Sequence, residues 1–306
     1  MHETARCCDF TLPHFWPERN PFLMDDRLIV NDECNQTCAF IFVVALLFAM
    51  LRDFELLAGI KRGHLSDFNQ AVERGATYEA KDLDGRSASE VAVRSGQPEI
   101  LRNLILAGAN ANGAVGKRGD QLIHLAAKIG DIGCLTVLLE NGAHVDARGH
   151  YRRTPLHAVS KSGGGYMANL LFEHQANPDA SDVRGNTPLH IASERGDLPM
   201  VKLMVKHHAS ALITNNQLYT PVHTTAANGH TEVANWLLDN ESAVNSCQFD
   251  PAFVERIKKV AERHGHKETA GALAERSSSG RGHSLLDEPR SKANSSCDSF
   301  GLMPDI

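Results

Sequence analysis

Four of the chain's 16 histidines fall at positions 124, 157, 190 and 223, three consecutive steps of 33 residues. Imidazole is a common metal ligand and titrates near neutral pH, so a histidine on a fixed interval invites a chemical reading. The interval itself argues against one. Residues one structural unit apart stack along an array rather than converge on a common centre, so these four are expected to serve the frame. His207-His208 and His264-Gly265-His266 are local pairs, but neither has a cysteine or carboxylate partner at ligand spacing. Seven cysteines, at 7, 8, 34, 38, 134, 247 and 297, contain no C-x-x-C pair and read as reduced thiols. Gly163-Gly164-Gly165 lacks the lysine and hydroxyl residue that follow in a phosphate loop. The expectation is no catalytic residue, no metal site and no cofactor.

The elements that carry these histidines repeat with them. Gln121-Leu122-Ile123-His124, Thr154-Pro155-Leu156-His157, Thr187-Pro188-Leu189-His190 and Thr220-Pro221-Val222-His223 align without gaps. Six residues after each histidine stands a glycine, Gly130, Gly163, Gly196 or Gly229, and Gly96 and Gly63 extend the phase backwards. Glu90 and Leu57 then occupy the histidine position of two degenerate earlier units. At 154, 187 and 220 Thr-Pro reads as a helix start, the hydroxyl capping and the proline in the first turn. The glycine reads as the helix end, in a left-handed conformation. A second helix follows with apolar residues at helical spacing, as in Met200, Val201, Met204 and Val205.

A 33-residue period carrying Thr-Pro-Leu-His resembles the ankyrin-repeat family from about residue 52 to about residue 274. The phrases around Leu171–Ala180 and Gly185–His190 are similar to the middle repeats of gankyrin-type members. The resemblance implies an all-α ankyrin-repeat solenoid of helix-turn-helix pairs with hairpin-like loops, about six repeats plus a C-terminal cap. It also implies that the recurring histidine makes backbone hydrogen bonds in its turn.

The remaining segments are read from composition. Residues 1–37 are unlike a secretory signal and are expected to be a disordered leader. Residues 38–51 carry no charge and form an apolar helix, packed on the solenoid end or acting as a short membrane segment. Fourteen residues span only about 21 Å as a helix. Residues 52–249 hold the repeats, 250–275 the capping helices, and 276–306 a Ser-, Gly- and charge-rich tail expected to be disordered.

Net charge is −6, and no basic domain points to nucleic acid. The positions implied by the resemblance to line a partner groove are nevertheless rich in cations. They are Arg86, Arg94, Lys117, Arg118, Lys128, Arg153, Lys161, Arg184 and Arg195, with Tyr151 and Tyr219 as aromatic anchors. The reading is a non-catalytic scaffold or adaptor that binds another protein, through an acidic segment. It is expected to be monomeric and cytoplasmic or nuclear. The competing readings are a membrane-tethered protein anchored near residues 38–51 and the targeting subunit of an enzyme complex.

Overall fold

The structure is a computed structural model and describes residues 32–245 and 251–278. The expected tail beyond residue 278 and the leader up to residue 31 lie outside the described residues. The chain divides into two units, residues 1–49 and 50–306. In the first, the described residues belong to the helix α1 (Asp32–Arg62), and Phe40, Val43 and Leu47 are solvent-exposed. No helix among the described residues is long and apolar enough to cross a membrane.

The second unit is a row of helix pairs. The end of α1 pairs with α2 (Leu65–Glu73), followed by α3 (Ala88–Arg94) with α4 (Pro98–Leu106) and α5 (Leu122–Ile129) with α6 (Ile132–Glu140). Next come α7 (Pro155–Ser162) with α8 (Gly165–Glu173), α9 (Pro188–Arg195) with α10 (Leu198–Lys206), and α11 (Pro221–Ala227) with α12 (Thr231–Asn245). The last pair is α13 (Pro251–Arg263) with α14 (Lys267–Ser278). First helices stack on first helices, from α3 through α13, and second helices on second helices, from α2 through α14. Their buried apolar side chains form one continuous core from Leu56 to Leu273. Short loops join the pairs, with hairpin pairing of β1 (Ala114–Val115) and β2 (Asp120–Gln121) in the third repeat and a single bridge, Lys81 to Ser87, in the second.

Each Thr-Pro-Leu-His turn is a reciprocal cap. The Thr154 side chain accepts the N–H of His157, while His157 Nδ1 accepts the Thr154 N–H at 3.1 Å. Thr187 with His190 and Thr220 with His223 do the same, at 3.1 and 3.3 Å. With Nδ1 an acceptor, Nε2 carries the proton, and it donates outward. His157 reaches the Asn186 carbonyl at 3.1 Å and His190 the Tyr219 carbonyl at 2.9 Å, each in the following repeat. His124 spans the Ala147 and Arg153 carbonyls at 3.0 and 2.9 Å. A second ladder runs through the loops, where Asn112, Asp146 and Asp179 side chains accept the N–H groups of His144, Asn177 and Ser210.

The glycines after these helices are left-handed as expected, Gly196 at φ 71° with the His230 ring against it. His230 and His266 each donate to a carbonyl of the preceding repeat, those of Glu194 and Ala227, at 2.9 and 3.0 Å. Asp197 stands in phase with His230 and has no proton to donate, and Arg195 bonds the Lys161 carbonyl instead. Two boundaries differ from the sequence reading, and at one of them α14 runs through Ser278 and not only to 275. At the other, the apolar helix begins at Asp32 and not at 38, and it runs without a break into the first repeat.

Burial disfavours the imidazolium form of these histidines, lowering His157 and His223 to about 4 and also lowering His190. Their folded values lie below the unfolded 6.5, so their contribution is complete above pH 6.5 and is lost as pH falls towards 4. Each such histidine steepens the loss by up to about 1.4 kcal/mol per pH unit. Urea unfolding followed by circular dichroism is expected to show lower stability at pH 5 than at pH 7.5. His157→Ala at pH 7.5 should cost about 2–3 kcal/mol, from a lost cap and an orphaned carbonyl.

Candidate partner-binding groove

The surface beside the first helices is built from two kinds of position, loop tips and the exposed ends of those helices. The tips owe their shape to a buried side chain at their base. Asp182 Oδ1 accepts the N–H groups of Arg184 and Asn186 at 2.8 and 3.0 Å. Asp82 and Asn215 hold the second and sixth repeats' tips in the same way. Burial alone would raise the Asp82 carboxyl, but bonds from the Arg86 and Asp84 N–H groups and nearby cations bring it below its usual value. The fourth repeat has Gly149 at this position. Asp120 of the previous tip accepts the His150 N–H there, at 2.8 Å.

Neighbouring tips are bonded to one another. The Val183 N–H donates to the Tyr151 carbonyl at 3.0 Å, and the Asn216 N–H to the Arg184 carbonyl at 2.9 Å. Gly85, Gly119 and Gly185 hold the left-handed position of three tips, but Arg152 and Leu218 hold it in the fourth and sixth, at φ 57° and 61°.

The structure divides the nine expected cations. Three are held by carboxylates of the frame. Arg86 meets Asp84 at 2.9 Å, Arg94 meets Glu90 at 2.8 Å, and Arg153 meets the buried Asp182 at 3.4 Å. Arg195 is occupied with the Lys161 carbonyl. Lys117, Arg118, Lys128, Lys161 and Arg184 are exposed and have no ion pair among the described residues. They occupy the third to fifth repeats.

The two tyrosines also differ. Tyr151 is 59% exposed with the Arg153 guanidinium 5.9 Å from its ring centre. The Tyr219 ring stacks at 5.8 Å on His223 and is half-buried. With Arg153, Val183 and Arg184, Tyr151 lines a small cleft of about 60 Å³. Tyr219 and Arg184 belong to a wider one of about 460 Å³, where Glu194 faces a polar wall of Gln217, Asn228 and His264. His264 comes from the capping pair. The spacing argument does not reach it, because residue 264 falls outside the 33-residue phase. Cys134 is buried, and burial pushes its thiol up to about 12, which leaves it a packing residue.

Asp182 is thus the residue on which the fifth tip and the pairing of Arg153 both depend. Asp182→Ala is expected to cost about 2–3 kcal/mol in urea unfolding, because two N–H groups and a guanidinium lose their acceptor. Asp182→Asn should cost less than half of that, since Asn215 performs the N–H role in the next repeat.

Comparison with known proteins agrees with this architecture. Two stretches of the mouse nuclear factor NF-kappa-B p105 subunit and of alpha-latrotoxin-Lt1a from Latrodectus tredecimguttatus are similar to part of this chain. The first is 34% identical over 109 residues, 34% of this chain and 11% of that protein. The second is 29% identical over 99 residues, 32% of this chain and 7% of that protein. The chain therefore spans a small fraction of the length of either. A profile described as ankyrin repeats (3 copies) matches residues 89–182 and 167–248, more than half of the chain. The repeat geometry and this match together place the chain in the ankyrin-repeat family.

Proposed function

We propose that this chain is a non-catalytic binding protein that holds an acidic segment of a partner protein across its third, fourth and fifth repeats. Ankyrin repeats generally mediate protein–protein interaction, and the family is typically non-catalytic. The observation that carries the finer reading is the separation of paired from unpaired cations. A guanidinium already bonded to a frame carboxylate adds little field at the surface, whereas an unpaired one attracts and orients an anionic partner. Lys117, Arg118, Lys128, Lys161 and Arg184 supply that field in a molecule whose net charge is −6.

Lys128 and Lys161 stand at equivalent positions near the ends of α5 and α7, one repeat apart. An extended acidic segment lying across the stacked helices would meet them in succession. Tyr151 offers an exposed ring beside this row. The reading also explains why the frame carboxylates Glu90 and Asp182 do not cancel it, since both are buried and already committed to arginines.

The test is an affinity capture with the full chain, comparing wild type with Lys128→Glu/Lys161→Glu, and mass spectrometry of what is held. Captured proteins should share an acidic segment, and the double reversal should weaken their binding at least tenfold. Binding should also fall steeply between low and high salt. A partner retained equally by both forms would remove the acidic-segment reading. Arg153→Glu is a poorer probe, because it places a carboxylate against Asp182 and disturbs the tip itself.

A further inference from the structure

The last residue but one of three successive first helices is Lys128 in α5, Lys161 in α7 and Glu194 in α9. All three are exposed. A cation suits the C-terminal end of a helix, whereas the helix dipole opposes a carboxylate there. Glu194 thus reverses the sign where the fold alone would keep it. Its side chain has no ion pair or hydrogen bond among the described residues. The other carboxylates of the groove are committed. Asp82 and Asp84 meet Arg86, Glu90 meets Arg94, Asp182 meets Arg153, and Asp120 accepts the His150 N–H. Arg195, beside Glu194 in sequence, reaches back to the Lys161 carbonyl and adds its charge to the fourth repeat.

Glu194 lines the cleft of about 460 Å³ that α9 and α11 share with the capping pair. Three more of its lining residues have spent their donors on backbone carbonyls. Asn216 Nδ2 donates to the Val183 carbonyl at 3.1 Å, Asn228 Nδ2 to that of Thr224 at 2.9 Å, and the Thr224 hydroxyl to that of Thr220 at 3.2 Å. A carbonyl only accepts, so each bond fixes which amide atom is the nitrogen. The side-chain oxygens of Asn216, Thr224 and Asn228 are left without a donor among the described residues. Asn186 is the exception, its Oδ1 accepting from Asn215. The cleft therefore gathers oxygen acceptors around one carboxylate, and an ammonium or guanidinium supplies N–H donors alone. Arg184 enters the same cleft from the tip, before α9 begins, whereas Glu194 stands about 9 Å along that helix.

We infer that this cleft holds a Lys or Arg side chain of the partner, so that the groove reads two acidic residues and one basic residue at even spacing. The register rests on the acidic-segment reading above, but the chemistry of the cleft does not. Helices α5, α7 and α9 stack in order. Stacked helices stand about 8–10 Å apart and an extended chain rises about 3.3 Å per residue, so one repeat corresponds to about three residues. Acids opposite Lys128 and Lys161 then bring a base to Glu194 in the pattern acid-x-x-acid-x-x-base, in one chain direction or the other.

The test is fluorescence anisotropy of the full chain with labelled synthetic peptides of Ser and Gly. They carry Glu-x-x-Glu-x-x-Arg, the reverse order Arg-x-x-Glu-x-x-Glu, or Gln in place of Arg in either. In one direction the Arg peptide should bind at least about tenfold tighter than its Gln counterpart, although Arg lowers the negative charge that the lysines attract. Glu194→Gln should abolish that gain. Glu194→Lys should bind Glu-x-x-Glu-x-x-Glu more tightly than wild type does, and a gain of binding shows that the variant keeps its fold. Lys128→Glu/Lys161→Glu should weaken every peptide, which tests the acidic reading separately.

Arg and Gln peptides bound equally in both directions would overturn the cation site and leave the acidic-segment reading standing. So would a gain for Arg that survives Glu194→Gln. Failure of every peptide to bind would overturn both.

Discussion

The structure depends on an imidazole used at both ends. In His157 and His190 one ring nitrogen accepts the N–H that opens its own helix, and the other donates to a carbonyl in the next repeat. A helix pair of this size buries too little to stand alone, so its stability comes from the joint with its neighbour. The imidazole makes local cap and joint one event. It does so only as the neutral tautomer protonated on Nε2, since a proton on Nδ1 would confront the threonine N–H. The frame's architecture and its sensitivity to acid therefore have one origin.

The same economy governs the groove. Tips must be held at a fixed angle for a partner to meet a defined surface, and the means of holding them are polar. Asp82 and Asp182 gather backbone N–H groups and then, with one oxygen left, an arginine from their surroundings. Some cations that look available in the sequence are thus part of the scaffold. The surface left for a partner is set by which cations the frame does not use.

Much of this was legible in the sequence, for definable reasons. The period, the caps and the helix ends follow from Thr154, Pro155, His157 and Gly163 and their counterparts, where local chemistry and tertiary role coincide. The outward bond of each histidine was not legible, because its acceptor lies 29 residues away at Asn186 or Tyr219 and is a backbone carbonyl of no special residue type. Nor was the fate of Arg153, whose carboxylate partner also lies 29 residues on. Arg86 and Arg94 were nearer to being readable, since Asp82 and Glu90 stand four residues before them. Exposed position alone says nothing of pairing.

The first repeats show what happens when the grammar is missing. Glu90 stands at the histidine position of the second repeat and is buried, but an ionised carboxylate has no proton to give to a carbonyl of the next repeat. It turns to Arg94 instead, and Ser87 alone caps the helix through the Glu90 N–H. One repeat earlier the loss is complete. In phase with Thr154, Thr187 and Thr220 stands Phe54, which has no side-chain oxygen for a cap, and Glu55 follows in place of proline. Thr154 leaves helical geometry at φ −88°, ψ 166° because its cap rewards that conformation. Nothing rewards it at Phe54, and the residues upstream are good helix formers such as Ala45, Leu46, Leu47 and Met50. The helix therefore continues backwards to Asp32. Where the other repeats carry a hairpin tip, this one carries a long helix with an apolar face. The loss of a cap at one position thus removes the tip that every later repeat carries.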